Sequence, residues 1–102
     1  MPKNKHAAIR YKIIDKMLTN TSKPYPNKED ILDKLRSELK DSISERTLQE
    51  DLSAMRFDQG LDYNAPIRYS RRYGGYYYED PQYSIAKLPI SSDDRDALDM
   101  AG

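Results

Sequence analysis

The sequence has no cysteine and no tryptophan, and it carries one histidine and one phenylalanine. Without cysteine there is no disulfide framework and no thiolate metal site. His6 alone makes no metal-ligand cluster, and no glycine-rich phosphate loop follows a strand. Asp93, Asp94, Asp96 and Asp99 are neighbours in an acidic stretch, and general acid–base work would require them to share a pocket, which a domain this small does not readily form. Neither enzymatic activity nor a cofactor is expected. No apolar run approaches the length of a membrane span, and the N-terminal residues lack the apolar run of a signal peptide. The expected setting is therefore soluble and cytoplasmic, with no membrane partner.

Net charge is also lacking: 17 basic residues balance 17 acidic ones. The strong basic bias of many DNA-binding domains is absent. The distribution says more. Residues 1 to 28 carry seven Lys or Arg against one Asp. Residues 29 to 60 and 79 to 102 are each net acidic, and Arg68, Arg71 and Arg72 are the only cations between residues 61 and 78. Such blocks can be solvated faces, or the two edges of a surface that holds phosphates.

A chain of 102 residues makes one small domain. A first helix is expected from about Lys5 to Leu18, with Ala7, Tyr11, Ile14 and Leu18 on one face and Ile13 and Met17 widening it. Pro24 and Pro26 forbid its continuation. Asn27 is an N-cap for a second helix, with Glu29 and Asp30 in its first turn and Ile31, Leu32, Leu35 and Leu39 on its apolar face. Ser44 is the N-cap of a third, with Ile43 and Leu48 as a hydrophobic staple and Leu48, Leu52 and Met55 as its buried stripe. Gly60 is expected to supply a left-handed C-cap.

Beyond Gly60 the period changes. Residues 65–70 and 75–79 favour strands, separated by Arg71-Arg72-Tyr73-Gly74 with a turn through Gly74 and Gly75. Ile67 and Tyr69 alternate with Arg68, and Tyr76 and Tyr78 with Tyr77, so one face of the ribbon is expected to pack on the helices. The fold class is mainly α with a small β element (α+β): a winged helix-turn-helix, three helices followed by a two-stranded β-hairpin wing. Residues 1–86 form the domain and 87–102 a polar linker or tail. Ser91 or Ser92 resembles a helix start with little helix after it.

Arg10 to Asp15, Tyr25 to Asp30, Thr47 to Arg56, Ala65-Pro66-Ile67 and Gly75 to Pro81, in this order and spacing, resemble the N-terminal winged helix-turn-helix of WYL-domain transcriptional regulators, which is similar to the DeoR type. The resemblance covers about residues 5 to 90. It implies a bacterial transcription factor, associated with the nucleoid when bound. It also implies a C-terminal domain, outside these 102 residues, that senses a small-molecule or nucleic-acid effector and makes a homodimer. The sequence departs from the DeoR pattern at Gln49 and Glu50, where basic residues commonly follow the Thr-apolar pair of the recognition helix.

The candidate DNA-binding residues of the third helix, about 44–58, are Ser44, Arg46, Thr47, Gln49, Glu50 and Ser53. Arg46 can read guanine and Gln49 adenine through bidentate bonds, and Glu50 can accept from cytosine. Ser44 and Thr47, at the helix start, suit phosphate. Against this stands an ordinary solvated helix face, with Glu50 paired to Arg46 four residues earlier. Asp51, at the edge of the apolar stripe, reads as structural, pairing an arginine of the first helix or of the hairpin. Arg68, Arg71, Arg72 and Tyr73 on the wing and Lys3, Lys5, Arg10 and Lys12 in the basic arm are candidate backbone contacts, or solubilising charge. Seven of nine tyrosines lie between Tyr63 and Tyr83. They can stack bases, but they equally pack a thin core, the reading preferred here.

Two functions follow. The first is sequence-specific binding of double-stranded DNA, with the third helix in the major groove and the wing and arm on phosphates. The alternative is a winged helix that binds protein and never touches DNA; the zero net charge and Glu50 favour it.

Overall fold

The computed structural model describes residues 7–88; Lys3, Lys5, His6 and the helix start at Ser91 or Ser92 lie outside them. The order of elements is α1 (Ala7–Leu18), α2 (Lys28–Leu39), α3 (Glu45–Phe57), β1 (Ile67–Ser70), β2 (Gly75–Tyr78) and a 3-10 turn at Ile85–Lys87. Three helices followed by a two-stranded antiparallel ribbon make a winged helix. None of these helices is long and apolar enough to cross a membrane.

Each helix begins and turns where its local chemistry directs. At α2, the Asn27 side chain accepts from the Asp30 amide and the Asp30 carboxylate accepts from the Asn27 amide, a reciprocal capping box. Lys40 adopts a left-handed conformation (φ 52°) to end α2, and Arg36 Nε donates to the Ile43 carbonyl across the turn. Ser44 caps α3 by accepting from the Thr47 amide at 3.1 Å. Ile43 and Leu48 are both buried, as their staple positions require.

The apolar stripes meet in one core. Ala7, Tyr11 and Ile14 of α1, Ile31, Leu32 and Leu35 of α2, and Leu48, Leu52 and Met55 of α3 are buried with Ala65, Ile67 and Tyr78. Each fully buried Leu or Ile contributes roughly 1.5–3 kcal/mol. Leu18, Ile13, Met17 and Leu39 pack half-buried at its margin.

Two buried carboxylates lock the assembly. Asp51 of α3 receives Arg10 of α1 through two hydrogen bonds, 2.6 and 3.1 Å, so its partner is the arginine of the first helix. Burial pushes the Asp51 carboxyl above its usual range, and Arg10 offsets part of that. The bond to Asp51 pushes Arg10 up. Asp15 of α1 accepts from the Tyr78 hydroxyl (2.7 Å), the Ser84 hydroxyl (2.7 Å) and the Ile85 amide (3.0 Å). It thereby ties α1 to the last residue of the wing and to the segment that follows it.

Three expectations are corrected. Helix α3 ends at Phe57, and Gly60 does not cap it with a left-handed residue: Asp58 is the C-cap with extended backbone, and its carboxylate accepts from the Gly60 and Leu61 amides. An Asx turn has taken the place of the glycine stop. The wing turns through Gly74 alone (φ 69°), while Gly75 lies in β2 opposite Ser70. The alternation in β1 also fails, because Tyr69 is 55% exposed although it shares a face with buried Ile67. Its cross-strand partner Tyr76 packs half-buried against the core, while Tyr69, near the loop end of the ribbon, stands outside it.

Candidate nucleic-acid interface

The buried stripe of α3 decides which of its residues face solvent. With Leu48, Asp51, Leu52 and Met55 turned inward, Arg46, Gln49, Glu50 and Ser53 are exposed together on the opposite side. Thr47 is half-buried beside them. Ser44 stays exposed, but its hydroxyl already accepts from the Thr47 amide and lies 3.1 Å from the Thr47 hydroxyl. The first job of both hydroxyls is therefore to hold the helix start.

Charge on this face is compensated locally. Arg46 Nε lies 3.4 Å from Glu50 on the same helix, with both side chains largely in water, so the pair costs little to open. Glu45 pairs with Lys28 of α2 at 2.9 Å. On the wing, Arg68 pairs with Glu79 at 3.0 Å. Arg71, Arg72 and Tyr73 are exposed at the wing tip, where the Arg72 guanidinium lies 5.3 Å from the centre of the Tyr73 ring. Among the described residues neither tip arginine has a carboxylate at ion-pair distance. At the wing tip, positive charge thus stands without a paired carboxylate among the described residues.

The helix and the wing are joined. Gln49 Nε2 lies 3.4 Å from the Tyr76 hydroxyl, and Tyr76 meets Tyr69 edge-on at 5.1 Å. Gln49, Tyr69, Gly74, Tyr76 and Lys28 line one cleft of about 460 Å³ between α3, the wing and the start of α2. The wing is held from behind as well. Pro26 accepts a backbone hydrogen bond from Tyr76 at 2.8 Å, and Tyr25 stacks on Tyr73 at 4.4 Å and meets Tyr77 edge-on at 5.6 Å. Tyr25 needs a positive φ (59°) to reach this position.

The structure therefore places Arg46, Gln49, Glu50 and Ser53 on one face, sets Gln49 against the wing, and leaves Arg71, Arg72 and Tyr73 at its tip. Two of the site's features escaped sequence reasoning. Phe57, 71% exposed, extends the outward row of α3; its spacing from Arg46, Glu50 and Ser53 was the available signal. Tyr25 and Pro26, which brace the wing, sit in a turn cluster that signals only the end of a helix. Of the tyrosines, Tyr11 and Tyr78 are in the core, and Tyr63, Tyr76, Tyr77 and Tyr83 are half-buried.

A family model described as the N-terminal winged helix domain of WYL domain-containing proteins matches residues 6–79. Comparison with curated proteins and with solved structures found no match.

Proposed function

The chain belongs to the family of N-terminal winged helix domains of WYL domain-containing proteins, and on that premise we propose that it binds double-stranded DNA sequence-specifically as part of a transcriptional regulator. The observation that carries this reading is α3 itself. It is capped at Ser44, buried along Leu48, Leu52 and Met55, and presents Arg46, Gln49, Glu50 and Ser53 outward beside a wing whose tip holds exposed Arg71 and Arg72. A helix of 13 residues is about 20 Å long and fits a major groove about 12 Å wide.

In this reading Arg46 leaves Glu50 for guanine, and Gln49, already near the wing, reads adenine. Glu50 then bonds a cytosine or returns to Arg46. Ser44 and Thr47 at the helix start, Ser53, and Arg68 with the wing tip contact the backbone, together with the basic arm of Lys3 and Lys5. A dimer formed through a C-terminal domain would read half-sites about one helical turn apart. An effector would act through that domain.

The test is selection of duplexes from a random pool at low salt, using a dimerised fusion of the domain. An enriched motif is expected, with preference at one position relaxed by about tenfold to a hundredfold in Arg46→Ala. Replacing Arg71 and Arg72 with Ala should weaken binding to every sequence about equally and flatten the log–log salt slope by roughly 2. A folded domain that enriches no motif would overturn the proposal and leave a protein partner for this face.

A further inference from the structure

Phe57 is the most exposed large apolar side chain among the described residues, and it is the last residue of α3. It follows Arg46, Glu50 and Ser53 at steps of four, three and four. These four residues therefore form a single row along the helix, opposite Leu48, Leu52 and Met55. The row borders an open groove of about 550 Å³ shared by Arg46, Ser53 and Phe57.

Two features indicate what the ring meets. First, it continues the row of hydrogen-bonding side chains proposed above to face base edges. Second, a guanidinium lies beside it. The Arg56 guanidinium lies 5.8 Å from the ring centre, and among the described residues it has no carboxylate at ion-pair distance. Two carboxylates also line the groove: Glu50, which pairs with Arg46, and Asp58, which accepts from the Gly60 and Leu61 amides. An apolar ring beside an uncompensated guanidinium suits a polyanion that displays an apolar group better than it suits an apolar protein face. In the major groove that group is the thymine C5-methyl, which a Phe ring can contact.

We propose that Phe57 reads a thymine through its methyl group, at the opposite end of the recognition surface from Arg46; the inference rests on the DNA-binding reading above. Eleven residues at a rise of about 1.5 Å separate the two side chains by about 16 Å. The thymine therefore lies a few base-pair steps from the base that Arg46 reads.

The experiment uses the selected consensus duplex with each thymine replaced, one at a time, by deoxyuridine, which removes the methyl and keeps the pairing. The protein is expected to bind about fourfold more weakly at one such position, the contribution of about one buried methyl group. Phe57→Ser should bind the thymine and uracil duplexes equally, and Phe57→Leu should restore part of the difference. Circular dichroism should show both variants folded, because the ring is in water. If a motif is selected and depends on Arg46, yet no thymine position responds to the identity of residue 57, the inference fails and the DNA-binding reading stands. If no motif is selected, both fail.

Discussion

Adding one carbon at Gly75 tests how the wing is fastened to the helices. A Cβ built there would fall inside the Tyr25 carbonyl and lie 2.8 Å from the Pro26 oxygen. Both neighbours are backbone, so neither can rotate aside. Gly75→Ala must push β2 away from the segment that leads into α2. The Tyr76–Pro26 hydrogen bond then goes, at about 1 kcal/mol. The Tyr25 contacts with Tyr73 and Tyr77 go with it, at roughly 0.5–1.5 kcal/mol each. The expected loss is about 2–4 kcal/mol. Gly74→Ala is the control, because its built Cβ meets nothing within 4 Å and only the left-handed backbone (φ 69°) is strained. That costs about 1 kcal/mol. In a domain of this size 1 kcal/mol moves the melting temperature by roughly 4–8 °C. Thermal unfolding followed by circular dichroism should place Gly75→Ala roughly 8–32 °C below the parent, and Gly74→Ala about 4–8 °C below it. If the two variants melt together, or Gly74→Ala melts lower, the fastening argument is wrong.

Other outcomes follow from the two buried carboxylates and the tyrosines around them. Asp15→Ala leaves the Tyr78 and Ser84 hydroxyls and the Ile85 amide without their acceptor. It should cost about 3–5 kcal/mol in urea unfolding, and Asp15→Asn, which keeps an acceptor oxygen, distinctly less. Removing Arg10 should cost about 3–5 kcal/mol by leaving buried Asp51 unpaired, removing Asp51 less because Arg10 is only part-buried, and Arg10→Met with Asp51→Leu less than the sum of the two; additive losses would rule out coupling. Burial, and donation to Asp15, push the Tyr78 hydroxyl far above the usual tyrosine range, and burial pushes Tyr83 up to about 12. Tyrosines in the unfolded chain ionise near about 10, so the folded state holds these protons more tightly above that pH. Stability is then fully present below about pH 10 and falls as pH rises towards 12. Unfolding midpoints at pH 9 and pH 11 should show this, and ultraviolet titration should find both tyrosines un-ionised at pH 11 in the folded chain.

What could be read from the sequence was what adjacent residues decide among themselves. Ser44 and Asn27 act on amides three residues away, and the stripe of α3 repeats within one helix. For the same reason the Arg46–Glu50 pair was visible at a spacing of four, and Asp51 betrayed itself as a charge at the edge of an apolar face. The failures are of other kinds. Asp15 acquires its meaning from partners at Tyr78, Ser84 and Ile85, more than sixty residues away, which no local pattern encodes. From Asp80 onward the sequence is polar, and that pattern hides that Tyr83 and Ile85 pack against the core while the Ser84 hydroxyl and the Ile85 amide bond Asp15. A strand of four residues places only two side chains on each face, too few for alternation to reveal where the core stops; hence Tyr69. At Asp58 a side chain ended the helix before the glycine could. The site was legible as a face, and the spacing that extends it to Phe57 was there to be read, but its bracing by Tyr25 and Pro26 was not.

The separation of the two faces of α3 bears on how such a domain changes over generations. Arg46, Gln49, Glu50, Ser53 and Phe57 share none of the core's burial, and exposed substitutions away from caps and buried groups usually shift stability by no more than about 0.5 kcal/mol. The scaffold is therefore nearly indifferent to what its outer face says. On the proposed DNA-binding reading, duplicated copies can drift to new targets through these five positions without passing through an unfolded ancestor, so long as Ser44, Asp51 and the inward leucines are kept. Retargeting by design has the same freedom and the same boundary.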